Sequence, residues 1–213
     1  MLTVWGRRTS SNVQALMWCI GELGLECRRH DIGHRYGGND TPAFLAMNPN
    51  GTVPVLRDGE GEPIWETGAI LRYLGARYAG DPFWPADTAR RAQVDKWADW
   101  AKINVAMAFT APVFWRVVRT APRDRDPAAI AAALGALAPK LAIAEARLAR
   151  HAWLAGETFT LADIQLGHVL YRWFDIAIER PDLPALRRYY EALTTRPAYR
   201  EHVMVPYEEL RVA

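Results

Sequence analysis

Three short stretches of this sequence gather groups able to hold a peptide-like anion. The first is Ser10-Ser11-Asn12. Two hydroxyls and an amide stand just ahead of Val13, Leu16, Met17 and Ile20, apolar residues at helical spacing, and so lie at a helix start. Hydroxyl donation and the positive helix end would stabilise a thiolate there, drawing its pKa down from about 8.5. A plain N-cap uses the same residues. The second stretch is Val53-Pro54, where a proline opens a short apolar strand and withholds one ladder hydrogen bond. If that peptide bond is cis, the Val53 N–H and C=O turn outward to pair with an extended peptide. A trans proline on an edge strand accounts for the same pair. The third is Glu66-Thr67, which closes a strand and opens a helix. The first N–H groups of that helix and the Thr67 hydroxyl can take a carboxylate while Glu66 takes an ammonium, the two charges of an amino-acid head group. Thr67 acting only as a helix cap is the competing reading.

Other chemistries lack their residues. The sequence contains no GxSxG, HExxH or phosphate-binding loop, and no GxGxxG after its first strand. His30, His34, His151, His168 and His202 show no metal-ligand spacing, so no metal is expected. Cys19 and Cys27 lack CxxC spacing and read as buried free thiols. The 26 basic and 24 acidic side chains alternate along the chain and leave a net charge of +2, which argues against a nucleic-acid partner. No apolar run is read as reaching the ~18 residues of a membrane helix, and Met1–Trp5 is unlike a leader. A soluble cytoplasmic protein without membrane association is therefore expected.

These groups need elements to position them. Leu2–Trp5 reads as a strand, the helix after Ser10–Asn12 stops at Gly24, and Glu26–Ile32 reads as an edge strand. A glycine-rich loop with His34 leads to Thr41-Pro42, a cap and first position for a short helix. The turn Asn48-Pro49-Asn50-Gly51 precedes a hairpin of Val53–Leu56 and Pro63–Trp65, followed by a helix over 67–78. The order is βαβ followed by αββα. The segment from Ala79 to Pro85 cannot continue a helix, and beyond it the pattern is helical almost to the end. There Trp97, Trp100, Asn104, Met107, Ala108 and Ala111 recur at spacings of three and four, with Pro112 expected to bend their helix. In Phe159–Ile164, Thr160 and Asp163 form a capping box with Phe159 and Ile164 as its staple.

Over nearly its whole length the chain resembles bacterial cytosolic glutathione transferases of a serine-type, theta- or nu-like kind. The resemblance is carried by Asn48–Leu56, by Trp65-Glu66-Thr67-Gly68-Ala69-Ile70, by Phe159–Ile164 and by Arg196-Pro197-Ala198-Tyr199, four motifs in the family's order. It implies an α/β plus all-α fold: a thioredoxin-like βαβαββα domain over 1–79, a linker over 80–86 and an all-helical domain over 87–213. It implies glutathione as co-substrate with no further cofactor. Glu66 and Thr67 would hold its γ-glutamyl end and Val53 beside a cis Pro54 its cysteinyl part, with Asn50 and His34 toward the glycyl carboxylate. The thiol would lie at Ser10–Asn12, with Ser10 the first candidate for its activation, Ser11 the second and Asn12 a helper. Trp100, Asn104, Met107, Ala108 and Trp115 would line the pocket for an apolar electrophile, with Phe114 and Trp173 as further candidates, in a twofold homodimer. Conjugation is the leading activity implied. Glutathione-dependent disulfide reduction and non-catalytic ligand binding on the same fold are the alternatives.

Overall fold

Strand β1 (Leu2–Trp5) buries Leu2 and Val4 while Thr3 and Trp5 remain half-buried, the alternation of a strand with one face on a core. In this computed structural model, which describes residues 1–212, β1 is central in a four-stranded sheet of order β2-β1-β3-β4. Strand β2 (Cys27–His30) runs parallel to it, β3 (Val55–Asp58) antiparallel, and β4 (Ile64–Trp65) pairs antiparallel with β3 at the far edge. Both β2 and β3 differ from their expected bounds. The ladder on β3 begins where Val55 faces Trp5, two residues after Val53, since Pro54 has no N–H to contribute. The Val53–Pro54 peptide is cis, as is Asp81–Pro82.

Helix α1 (Ser11–Glu22) follows β1 and buries Val13, Leu16, Trp18, Cys19 and Ile20. It ends as its glycine predicts: Gly24 adopts φ +62°, and the N–H groups of Gly24 and Leu25 return to Gly21 and Ile20. Helix α2 (Pro42–Met47) is capped by the Thr41 hydroxyl, which accepts from Phe44 N–H at 3.3 Å. Helix α3 (Thr67–Leu74) continues into a wider turn, Gly75–Ala79.

The helical half begins with α4, which spans residues 88–118. Its regular first part, Thr88–Trp100, gives way to wider turns at Ala101–Ala106 and Thr110–Trp115. Pro112 lies in the second, where its missing N–H removes a regular helical bond. Then come α5 (Pro127–Leu148), α6 (Leu161–Gly167), α7 (Leu170–Asp175), α8 (Pro184–Thr194) and α9 (Pro197–His202). The capping box at the start of α6 forms as its spacing predicts. Asp163 accepts from the N–H of Thr160 at 2.8 Å and of Leu154 at 2.9 Å, and from the Tyr189 hydroxyl at 2.9 Å. Helix α5 overturns one expectation: with mean hydropathy 1.6 over its best stretch, it is long and apolar enough to cross a membrane by length and composition. It buries Leu137, Leu141, Ala144 and Leu148, while most of that alanine-rich surface is not buried.

The halves join through α1. Trp18 is fully buried and meets Tyr199 edge-on at 4.7 Å and Phe159 at 5.7 Å. Gly167 of α6 permits that approach, because a Cβ there would come within 2.7 Å of the Trp18 ring. Glu22, at the end of α1, accepts from Arg196 at 2.7 and 2.6 Å.

Candidate functional site

The turn from β1 into α1 faces a cleft of about 330 Å³ between the two halves. Arg7, Thr9, Ser10, Ser11, Asn12, His34, Asn39 and Val53 wall it on the sheet side; Thr110, Trp115, Arg119, Arg172 and Leu210 wall it on the helical side. A smaller hollow of about 210 Å³ shares Ser11, Asn12 and Thr110 with it and adds Lys102, Ala106, Met107 and Ala111.

Ser10 and Ser11 are 8 % and 9 % exposed, so each hydroxyl meets the cleft rather than bulk water. Ser10 holds the N-cap position of α1, yet its side chain makes no capping bond. The backbone fixes the turn instead, through Ser10 N–H to the Arg7 carbonyl at 3.1 Å and Gln14 N–H to the Ser10 carbonyl at 2.8 Å. Both hydroxyls are thereby left to donate, beside the positive end of α1.

Lys102 reaches across from the first wide turn of α4 and donates from Nζ to Asn12 Oδ1. This turns the remaining donors of the Asn12 amide away from Lys102. Burial draws the Lys102 pKa down to about 8, and the nearby Glu66 charge opposes that shift. No sequence motif marks Lys102. Its one signal is a basic residue set amid an apolar stripe.

Val53 lines the cleft, and neither its N–H nor its carbonyl has a backbone partner among the described residues. Pro54 is buried behind it. The strip is braced from below: Asn39 Nδ2 donates to the Gly51 carbonyl and Asn48 Nδ2 to the Thr52 carbonyl, each at 2.8 Å. Asn50 is exposed, bonds to Asn48 Oδ1 at 3.0 Å and lies outside the cleft wall. Asn39, which no sequence signal singled out, lines the wall instead.

Glu66 and His34 are the only non-glycine residues with positive φ among those described, at +68° and +57°. Such backbone costs about 1–3 kcal/mol and clusters at ligand sites. Glu66 is exposed at the N-cap of α3, and Thr67 is 3 % exposed in its first turn, where the opening N–H groups lack helical partners. His34 borders the cleft with its pKa lowered by burial, then by the charges of Arg7 and Arg119.

Of the residues expected to line an electrophile pocket, Trp115 enters the larger cleft and Met107 the smaller hollow. Trp100, Asn104 and Ala108 line neither; Trp100 packs edge-on against Trp97 at 5.2 Å. Phe114 and Trp173 are core residues. The wide turns of α4 shift the phase of the stripe, which a uniform helical spacing cannot anticipate. In place of an all-apolar wall the structure sets Arg7, Arg119 and Arg172 around the cleft. Arg172 is 3 % exposed, donates to the Thr9 carbonyl at 2.7 Å and keeps an unpartnered Nε. Burial lowers its pKa to about 10, which leaves it charged at neutral pH. Glu209 on the C-terminal turn links Thr9 of the turn after β1 to the loop at Tyr36. It accepts from the Thr9 and Tyr36 hydroxyls and pairs with Arg35 at 2.7 Å.

The arrangement combines free hydroxyl donors, a helix start and an unpaired strip of backbone, which suits a peptide bearing a thiolate. Comparison with known proteins bears on that chemistry. The family model described as "Glutathione S-transferase, N-terminal domain" matches residues 1–76, and "Glutathione S-transferase, C-terminal domain" matches residues 105–197. The chain is similar to glutathione S-transferase GstB of Escherichia coli K12, 40% identical over 207 residues that cover 97% of this chain and 99% of the relative. Glutathione S-transferase 3 of Zea mays is 33% identical over 215 residues, covering 95% and 93%. Among solved structures, the theta-class glutathione S-transferase of Xanthomonas axonopodis pv. citri with glutathione bound superposes with a TM-score of 0.91. It is 47% identical, with 96% of this chain and 98% of that one covered.

Proposed function

This chain belongs to the glutathione S-transferase family, and from that premise we propose that it activates glutathione as a thiolate and transfers it to a small electrophile. The observation that carries the reading is the pair of unbonded hydroxyls, Ser10 and Ser11, at the start of α1 beside the unpaired backbone of Val53. Glutathione would extend along Val53 beside Pro54. Its γ-glutamyl charges would lie on Glu66 and the first turn of α3 at Thr67, its glycyl end toward His34 and Asn39, and its sulfur over Ser10–Asn12. Ser10 donates to the sulfur, Ser11 is the alternative donor, and Asn12 adds an amide N–H. The sulfur then attacks the electrophilic carbon, a C–S bond forms, and the leaving group departs with its electron pair. In the proposed organisation residues 1–79 bind glutathione, 80–86 connect, and 87–213 complete the electrophile pocket of one subunit in a twofold dimer.

Turnover of 1-chloro-2,4-dinitrobenzene by the wild type and by Ser10→Ala tests the reading. Loss of a hydrogen bond to a charged sulfur predicts a fall in kcat/KM of about 10- to 100-fold. Unchanged turnover removes Ser10 from the mechanism. Absence of glutathione binding at millimolar concentration, read by calorimetry, removes the enzymatic reading altogether.

A further inference from the structure

We propose that Arg7 and Arg119 form a clamp for an acid group on the second substrate, so that the electrophile taken by this cleft carries a carboxylate or a comparable anion beside an apolar body. The proposal rests on the conjugation reading above and names its substrate class.

Two guanidinium groups from opposite walls meet in one cavity without a carboxylate between them. Arg7 follows β1 on the sheet side; its Nη1 lies 3.5 Å from the position a Cβ on Gly33 would take, and its Nε is buried without a partner. Arg119 follows the end of α4 on the helical side and stacks on the Trp115 ring, with its central carbon 4.7 Å from the centroid. Each lies within the other's field: the Arg119 charge is the main electrostatic influence lowering the Arg7 pKa, second only to burial. Among the described residues neither side chain enters an ion pair. Arg172 adds a third, buried positive charge behind Thr9. Glu209, the one carboxylate among the described residues whose charge reaches Arg7, is engaged by Arg35 and by the Thr9 and Tyr36 hydroxyls.

Like charges held this close in a part-buried cavity repel, and an anion between them reverses the sign of the interaction. Guanidinium groups suit a planar, two-oxygen acid, which each can meet with paired N–H donors. The exposed Trp115 and the buried Leu210 supply apolar contact beside the clamp. Glutathione brings two carboxylates of its own. Its peptide strip is the Val53 side of the cleft, where Arg7 also stands beside Asn39 and His34, whereas Arg119 belongs to the facing wall with Trp115. An anion shared by both arginines lies between the two walls of the cleft.

The test uses two chloroarenes matched except for the acid group, 4-chloro-3,5-dinitrobenzoate and 1-chloro-2,6-dinitrobenzene. In each the glutathione thiol gives its proton to solvent, the sulfur bonds to the carbon bearing chlorine, and chloride leaves with the C–Cl electron pair. Rates are taken relative to the uncatalysed reaction of each compound. The wild type is expected to favour the benzoate, and Arg119→Gln and Arg7→Gln are each expected to lower that preference at least ten-fold. A preference unaltered in Arg119→Gln overturns the clamp. So does a loss confined to the discrimination between glutathione and γ-glutamylcysteine, which would assign the arginines to the glycyl carboxylate. Calorimetric titration of 3,5-dinitrobenzoate into the glutathione-loaded protein decides the question without chemistry. Binding weakened at least ten-fold in Arg119→Gln supports the clamp, and equal binding overturns it. If the wild type conjugates neither chloroarene, the conjugation reading fails while the titration still decides the clamp. Should Arg7→Gln not fold, Arg119→Gln alone decides both measurements.

Discussion

Lys102 is the side chain whose chemistry depends most on its surroundings. Its ammonium reaches Asn12 Oδ1 from a half-buried position, with Glu66 as the opposite charge in range and, among the described residues, no carboxylate close enough for an ion pair. In the proposed mode of binding a cation so placed would act on the thiol in two ways: it would orient the Asn12 amide so that N–H faces away from Lys102, and it would add positive potential beside the sulfur. Replacing it by methionine keeps most of the apolar stem and removes both effects. Lys102→Met is therefore expected to raise the pKa of the enzyme-bound glutathione thiol by about one unit, read from the ultraviolet absorbance of the thiolate against pH. An unchanged titration would leave Lys102 a packing residue. Asn12 was legible as part of the polar cluster at the helix start because it adjoins Ser10 and Ser11. Lys102 was not, because it is joined to Asn12 across 90 residues of chain.

At the scale of elements, the start of α6 was the most legible feature. A capping box is a contact between residues three apart, so Thr160 and Asp163 announce it wherever the helix is finally placed. What the spacing does not show is the second use of Asp163, which also receives the Leu154 N–H and the Tyr189 hydroxyl, the latter from α8. Asp163→Ala strands those donors in the core and is expected to cost about 2–4 kcal/mol in urea unfolding. A loss below about 1 kcal/mol, the worth of an ordinary exposed cap, would show that the buried bonds add nothing. The stripe on α4 was read less well. Trp115 and Met107 reach cavities while Trp100, Asn104 and Ala108 do not, because two wide turns rotate the helix face along its length.

For the molecule as a whole, one apolar cluster runs from β1 and α1 through α4 to α8 and α9, so the two halves share a core. His168 lies fully buried in it, with its pKa lowered to about 3 by burial and then by the Lys102 charge. The unfolded chain takes up a proton on this histidine below about 6.5, while the folded chain does so only near 3. Its contribution is therefore lost as the pH falls through that window. Asp163 acts in the opposite sense: burial raises its pKa to about 6, so the folded state binds that proton more readily on the way down. The difference between wild type and His168→Gln isolates the histidine. The variant is expected to lose less unfolding free energy than the wild type between pH 6.5 and pH 3, the gap approaching about 1.4 kcal/mol per pH unit. Parallel profiles would show that His168 gains its proton in the folded state as it does when unfolded.

By itself the sequence determined what neighbouring residues settle between themselves. These include the strand of Leu2–Trp5, the Gly24 stop, the Thr41 and Thr160 caps, the Asn48–Gly51 turn, and the three stretches at Ser10, Val53 and Glu66. Each depends on backbone geometry or on contacts a few residues apart, which residue types at fixed spacing specify. The tertiary structure alone decided which distant groups share the cleft. Arg7, Arg119 and Arg172 come from separate parts of the chain and converge there because α1 is packed between the sheet and the helices, while Lys102 lines the adjoining hollow. Charges act through space, across distances that sequence separation does not measure. The turn at Ser10–Asn12 could therefore be read from the sequence as a helix start, while the character of the wall facing it could not.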